Sequence, residues 1–197
     1  MQTGEQPRIL VFNGLGWERS GLVHVADVEP GTVLRDAETG QRAPTQVVQR
    51  DGQRSVCFLA QGVPSVGYRT YTIEAAGPGP VGRPACSAEG IRLEGPFYRL
   101  EVSPVTGGLT SLYDKVRGKE LVNSRSPYHL NQCLYLSEDV EHTPQTACIE
   151  PGAAGPLFAQ LCVSTQLKNT TLHTTYTVYA DLDRVDIRNE LEKTATS

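Results

Sequence analysis

The sequence lacks several features that would assign the protein to a class at once. No hydrophobic run approaches the roughly 20 residues that a membrane-spanning helix needs, and the N-terminal residues "MQTGEQPR" have no apolar segment of the signal-peptide kind. Basic residues do not cluster, and 18 lysines and arginines are outnumbered by 22 acidic residues, whereas nucleic-acid-binding proteins concentrate basic charge. We therefore expect a cytoplasmic protein without a membrane or nucleic-acid partner.

Residues that bind metals or act as nucleophiles are scattered. The five cysteines include no C-x-x-C pair of the kind found in zinc and redox sites. Cys57 and Cys162 lie among apolar neighbours, so we expect most cysteines to be buried in strands. The histidines lack the close spacing of a zinc-ligand set; they are His24, His129, His142 and His173. We predict no metal, no cofactor and no catalytic residue in this chain.

What the sequence does contain favours short β-strands. Glycine and proline are plentiful, with 19 and 13 residues, and they bound runs rich in Val, Thr and Tyr, as in all-β proteins. Residues 1–75 are predicted to form a small β-sandwich domain. The expected strands there are residues 9–12, 21–25, 33–36, 44–49, 56–60 and 68–74. The Gly- and Pro-rich run "AAGPGPVGRP", residues 75–84, then suits an interdomain linker.

Residues 85–197 are predicted to form a second, antiparallel β-domain. The expected strands are residues 90–93, 97–102, 109–114, 120–122, 129–136, 147–149, 157–165, 170–180 and 184–191. The last two alternate most clearly and are predicted to form a long hairpin. Asp181, Asp183 and Asp186 lie around its tip, where turn formation explains aspartate better than catalysis does.

The most informative run is "FYRLEVSPVTGGLTSLYDKVRGKELV", which begins at Phe97. Alternation on both sides of Pro104 and Gly107-Gly108 predicts two strands joined by a short loop. The run also resembles the start of the large β-sandwich in α-mannosidases of glycoside hydrolase family 38. The upstream blocks "LVFNGLGWERSGLVHV", "APTQVV" and "VPSVGYRTYTI" resemble the small β-domain before it. One departure is Gly14, where the family usually has Pro.

The resemblance implies a fold and a role. The fold is a small β-sandwich followed by part of a large, galactose-mutarotase-like supersandwich. The role is a non-catalytic part of an α-mannosidase that supports and borders the α-mannoside site, because the family's zinc ion and nucleophilic Asp belong to a separate α/β domain. The chain alone is therefore expected to be inactive.

Particular residues follow from the same resemblance. The segment "LNQCLYLSEDVEH" is similar to a region that reaches the family's sugar site, which makes Asn131, Gln132 and Tyr135 the candidate sugar-binding residues. Trp17 is a candidate carbohydrate platform, but the family block implies that it packs at a domain junction. An uncovered sandwich edge at the final hairpin predicts a homo-oligomer. The alternatives are an independent carbohydrate-binding module and a purely structural module.

Overall fold

The computed structural model describes residues 7–26, 31–50, 53–74, 85–137 and 139–193. Every regular element in these ranges is a β-strand, and all the pairings are antiparallel, so the all-β prediction is confirmed. The chain divides into two compact units, Met1–Arg83 and Pro84–Ser197. The expected linker at residues 75–84 lies outside the described residues and stays a prediction. Within the described ranges no helix is long and apolar enough to cross a membrane.

The first unit is a sandwich of two small sheets. One sheet has the strand order β1-β7-β3-β4 and the other has the order β2-β6-β5. The strands are β1 Arg8–Asn13, β2 Arg19–Ala26, β3 Val33–Asp36, β4 Arg42–Ala43, β5 Thr45–Arg50, β6 Gln53–Val63 and β7 Gly67–Glu74. Leu34 and Tyr71 from the first sheet are buried with Phe58 from the second. The Phe58 and Tyr71 rings meet edge to face at 4.7 Å, a favourable aromatic geometry.

The second unit contains two larger sheets and a small hairpin. The sheet orders are β12-β11-β10-β9-β8, β15-β16-β17-β18 and β13-β14. The strands are β8 Ser87–Glu89, β9 Arg92–Glu94, β10 Tyr98–Val102, β11 Leu109–Asp114, β12 Lys119–Glu120, β13 Tyr135–Ser137, β14 Val140–His142, β15 Ala147–Ala154, β16 Phe158–Leu167, β17 Thr170–Tyr179 and β18 Val185–Lys193. Their shared core includes Leu100 and Leu109 from the first sheet and Leu161 and Tyr176 from the second.

Two strand predictions in the second unit are wrong. The expected strand at residues 90–93 is interrupted by a turn at Gly90, whose φ of +55° is left-handed, so the chain forms the β8–β9 hairpin there. The expected strand at residues 129–136 is mostly irregular, and only Tyr135 and Leu136 belong to a strand. Asn131 has a φ of +63°, which is incompatible with extended backbone.

The expectations for the cysteines and for Trp17 also need correction. Of the five cysteines, only Cys57 and Cys86 are buried, while Cys148 and Cys162 are exposed. Cys162 lies between buried Leu161 and Val163 in β16, and neighbouring side chains in a strand point to opposite faces. Trp17, expected to be packed, is 63% exposed.

The turn between β10 and β11 is unusually close to its neighbours. Ser103 accepts a hydrogen bond from the Gly107 amide at 3.0 Å and donates its own amide to the Gly108 carbonyl at 2.8 Å. Gly107 has a φ of +72°, and a Cβ atom there would lie 2.7 Å from the Thr165 side chain. A Cβ at Gly108 would lie 2.9 Å from the Cβ of His129. Both positions therefore require glycine.

The strand expected to mediate self-association is an edge strand. β18 pairs only with β17 in its sheet. Ile187 and Leu191 lie opposite the core residues Tyr176 and Leu172 but are 38% and 66% exposed. Charged side chains alternate with them along the strand, a pattern that discourages edge-to-edge pairing. The expected homo-oligomer stays a prediction.

We expect Gly107→Ala to destabilise the protein by about 2–4 kcal/mol, because it adds left-handed backbone strain to a steric overlap with Thr165. Gly90→Ala is the matched control in the same unit: Gly90 has a φ of +55°, but a Cβ atom there would have no neighbouring atom within 4 Å. It should cost only about 1–2 kcal/mol, the strain alone. Urea unfolding of the two variants measures the difference. Equal losses would contradict the close packing of the turn.

Candidate functional site

The three predicted sugar-binding residues lie in one part of the second unit but have different surroundings. Asn131 and Gln132 belong to the irregular segment before β13, and Tyr135 begins that strand. Leu130 in the same segment forms an isolated antiparallel bridge with Leu109 of β11. The segment is thereby attached to the hairpin that begins near Phe97.

Asn131 is engaged in a network of hydrogen bonds within the protein. Its Nδ2 atom donates to the Tyr176 hydroxyl and to the Asn189 Oδ1 atom, both at 3.2 Å, and its Oδ1 atom accepts from Asn189 Nδ2 at 2.7 Å. The buried Tyr176 hydroxyl donates to the Gly107 carbonyl at 2.8 Å. Burial of the phenol, only partly offset by the Asn131 hydrogen bond, raises the pKa of Tyr176. These contacts make Asn131 a structural residue that connects three parts of the unit.

Gln132 closes the same segment locally. Its Oε1 atom accepts a hydrogen bond from the His129 backbone amide at 2.9 Å. The backbone amide of Gln132 donates to the His129 carbonyl at 3.2 Å. The His129 ring in turn forms a 2.7 Å hydrogen bond with the Thr106 hydroxyl. Gln132 therefore helps to hold His129 against the β10–β11 turn.

Tyr135 has more open surroundings. It is 40% exposed and lies opposite His142 in the β13–β14 pair, with the two ring centres 6.0 Å apart. The Lys168 ammonium lies 4.9 Å from the centre of the Tyr135 ring, a cation–π distance. Lys168 lies in the turn between β16 and β17 and has a left-handed φ of +51°. The turn conformation thus brings a positive charge beside an exposed phenol.

An open cavity of about 410 Å³ lies next to this pair. His142 and Lys168, which lie near the Tyr135 ring, line it together with Glu141, Thr143, Gln145, Thr146, Gln166 and Leu167. Glu141 also accepts a hydrogen bond from the Tyr128 hydroxyl at 2.7 Å. Amide, hydroxyl, imidazole and ammonium groups supply both donors and acceptors. The cavity is therefore suited to a small polar ligand with several hydroxyl groups.

Sequence reasoning singled out Tyr135 but missed the residues of β16 and of the β16–β17 turn that line the neighbouring cavity. Gln166 and Lys168 lie far from Tyr135 along the chain, in β16 and in the turn after it, and these belong to a different sheet from the β13–β14 pair. The available signal was the dipeptide Lys168-Asn169 between two long alternating runs, which indicates a turn. That signal places the turn in the sequence, but it does not show that the Lys168 ammonium lies beside the Tyr135 ring of a different sheet.

Asp183 and Asp186, two of the three aspartates expected around the tip of the final hairpin, have close partners within the protein. Asp183 accepts a hydrogen bond from the Tyr98 hydroxyl at 2.7 Å. Asp186 accepts one from the Tyr179 hydroxyl at 2.5 Å and lies 3.2 Å from Arg184; it is the second residue of β18 and lies next to the hairpin tip, as expected. Among the described residues, no three His, Cys, Asp or Glu side chains converge as a metal ion would need.

Comparison with known proteins gives no family assignment. No family model matches the chain, and no curated protein matches it significantly. The similarity to family 38 α-mannosidases therefore stays an expectation from the sequence blocks.

The contrast between Asn131 and Tyr135 can be tested by stability. Asn131→Ala loses the contacts to Tyr176 and Asn189 and leaves a non-glycine residue in left-handed backbone, so we expect a loss of about 1–3 kcal/mol. Tyr135→Ala should cost less than about 1 kcal/mol because the ring is exposed. Asn131→Gly removes the same hydrogen bonds without the strain and should lie between wild type and Asn131→Ala. A larger loss for Tyr135→Ala in urea unfolding would contradict these roles.

Proposed function

We propose that this chain is a non-catalytic β-sandwich part of an α-mannosidase of the family 38 type, and that its second unit supports and borders an α-mannoside site. The observation that carries the proposal is the position of the run with the strongest resemblance. That run forms the β10–β11 hairpin, and its Gly107-Gly108 turn packs against the segment that leads to Tyr135.

Two residues of the run that resembles the family are restricted to glycine by their close neighbours. Gly107 and Gly108 have no room for a side chain, and Ser103 holds the turn with its hydroxyl, which accepts from the Val105 and Thr106 amides at 3.2 and 3.1 Å. Few other sequences can form a turn with these steric limits. The presence of this turn within the run that resembles the family therefore supports the proposal more strongly than the amino-acid composition does.

The proposal assigns binding to this chain and bond cleavage to another part of the enzyme. The cavity beside Tyr135 offers hydrogen-bonding groups for sugar hydroxyls, and an exposed aromatic ring provides a surface for the sugar's C–H groups. In the family, a zinc ion and a nucleophilic carboxylate in the α/β domain carry out hydrolysis. The described residues of this chain do not supply a zinc-ligand set, so no step through zinc is assigned to them.

The cysteines bear on the proposed compartment. All five are free, and burial raises the pKa of Cys57 to about 12 and that of Cys86 to about 11, so neither buried thiol is a ready thiolate at neutral pH. Unpaired cysteines are typical of reducing compartments. This supports the proposed cytoplasmic location.

A titration with methyl α-mannoside tests the binding role. We expect the amide chemical shifts of residues 135–137, 139–146 and 166–168 to move on addition of the sugar. The dissociation constant should be in the millimolar range, which corresponds to a binding free energy of about −4 kcal/mol. Tyr135→Ala and Lys168→Ala should each weaken the response, while Lys119→Ala, an exposed lysine on β12, should not. Methyl α-glucoside serves as the control sugar. Shifts spread evenly over the protein, or none at all, would contradict a role at the sugar site and favour a purely structural module.

An activity assay tests the non-catalytic role separately. The purified chain should not hydrolyse 4-nitrophenyl α-mannoside, with or without added zinc, because the resemblance assigns the zinc ion and the nucleophilic carboxylate to a separate α/β domain. Turnover that a chelator abolishes would overturn the proposal and would require a metal site on this chain.

A further inference from the structure

One long edge of the second unit has backbone groups that no described strand pairs with. β18, Val185–Lys193, pairs with β17 along all nine of its residues. It is the last strand of its sheet, and in the described part of the chain no strand lies on its other side. A strand edge of this kind presents a row of N–H and C=O groups to which another strand can add. Because strands usually have about five to six residues, β18 offers an unusually long edge.

The inner face of β18 is apolar and only partly covered. Val185 packs against the core, while Ile187 and Leu191 lie opposite the core residues Tyr176 and Leu172. Directly paired residues lie on the same face of a sheet, so Ile187 and Leu191 belong to the core face although they are 38% and 66% exposed. The core face therefore continues onto the edge strand, where its apolar surface is accessible.

The outer face of β18 carries opposite charges on the two sides of Asn189. Arg188 and Glu190 have side chains that are 59% and 55% exposed, and they form a 2.6 Å ion pair within the strand. Asn189 points to the other face, where it accepts a hydrogen bond from the Thr174 hydroxyl at 2.8 Å and bonds to Asn131. The strand is therefore self-complementary, because each charge meets its opposite in an antiparallel copy that crosses at Asn189.

We propose that two copies of this chain pair through β18, antiparallel about a two-fold axis at Asn189, and so join their four-stranded sheets into one. In this register all nine residues of each β18 strand are paired. Arg188 of each copy lies opposite Glu190 of the other on the outer face. Ile187 of each copy lies opposite Leu191 of the other, so two apolar pairs extend the core on the inner face. Self-association at this edge, expected from the sequence, thereby acquires a symmetry and a register.

Other two-fold registers of β18 are less favourable. A centre at Arg188 places Arg188 against itself and Asp186 against Glu190, and a centre at Glu190 places Glu190 against itself. Like charges directly opposite each other destabilise a strand pair. Centres at Ile187 or Leu191 leave four residues at one end of each strand unpaired. The charges that discourage pairing with an unrelated strand therefore also select one register for pairing with a copy.

The register centred on Asn189 contains one unfavourable contact. Asp186 of each copy lies opposite Glu192 of the other, near the ends of the paired strands. The Glu192 side chain is 78% exposed, and water and salt screen exposed charges. The contact therefore weakens the dimer without preventing it. Because a single strand edge also buries less surface than a standard interface, we expect a dissociation constant of about 10–100 μM.

Sedimentation equilibrium of the whole chain from about 1 μM to 1 mM spans the expected constant. The average mass should rise from that of one chain to that of two and no further, since a two-fold pairing is closed. Arg188→Glu and Glu190→Arg each oppose like charges twice, so each should weaken the dimer at least about tenfold. The variant with both substitutions restores the opposite charges and should bind within about threefold of the wild type. Lys119→Glu on β12 changes the net charge as Arg188→Glu does and should have no effect.

Glu192→Lys tests the register. It replaces the repulsion from Asp186 by an attraction at both ends, so it should tighten the dimer at least about fivefold. A register centred on Glu190 places Glu192 opposite Arg188, and the same substitution would then weaken the dimer. Glu89→Lys on β8 changes the net charge equally and should leave the affinity unchanged. The inference is overturned if the chain stays monomeric at the highest concentration, if either single charge reversal of Arg188 or Glu190 has no effect, if the double variant stays as weak as the single ones, or if Glu192→Lys fails to tighten the dimer.

Discussion

The hydrogen bond from the Tyr176 hydroxyl to the Gly107 carbonyl is the contact on which the second unit depends most. Tyr176 is fully buried, and a buried hydroxyl without a partner would cost about 1–3 kcal/mol. The bond, 2.8 Å long, ties the central strand β17 to the turn of the opposite sheet. Because Asn131 also bonds to the same hydroxyl, the irregular segment before β13 is fixed at the same point.

This arrangement separates the residues that hold the unit together from those available to a ligand. Asn131 and Gln132 use their amide groups within the protein, whereas Lys168 lines an open cavity and the exposed Tyr135 ring lies beside Lys168. A rigid frame under an accessible site is the usual way to position binding groups. The first unit shows the same division, since buried Asn13 fixes the turn whose Trp17 remains exposed.

The sequence predicts strands well where alternation is bounded by strong turn residues. β3, Val33–Asp36, and β11, Leu109–Asp114, have the predicted bounds. The prediction at residues 90–93 is wrong because Gly90 has a left-handed backbone conformation and lies in a turn. The chain therefore forms two short strands there, β8 and β9, instead of one. Alternation tells which residues share a face, but it does not tell which face is covered, so Cys162 was expected to be buried and is exposed. The exposure of Trp17 and the approach of Lys168 to Tyr135 depend on tertiary packing, which local patterns do not encode.

Amide hydrogen exchange tests most directly whether the Gly107 turn belongs to the core. If it does, the amides of Gly107 and Leu109, bonded to the Ser103 and Leu130 carbonyls, should open only with the core strand β16 and share its free energy of opening. They should then exchange at least about 100-fold more slowly than the Arg125 amide, whose partner is the exposed Asn123 side chain. Exchange of Gly107 as fast as that of Arg125 would show an ordinary surface loop and would contradict the account.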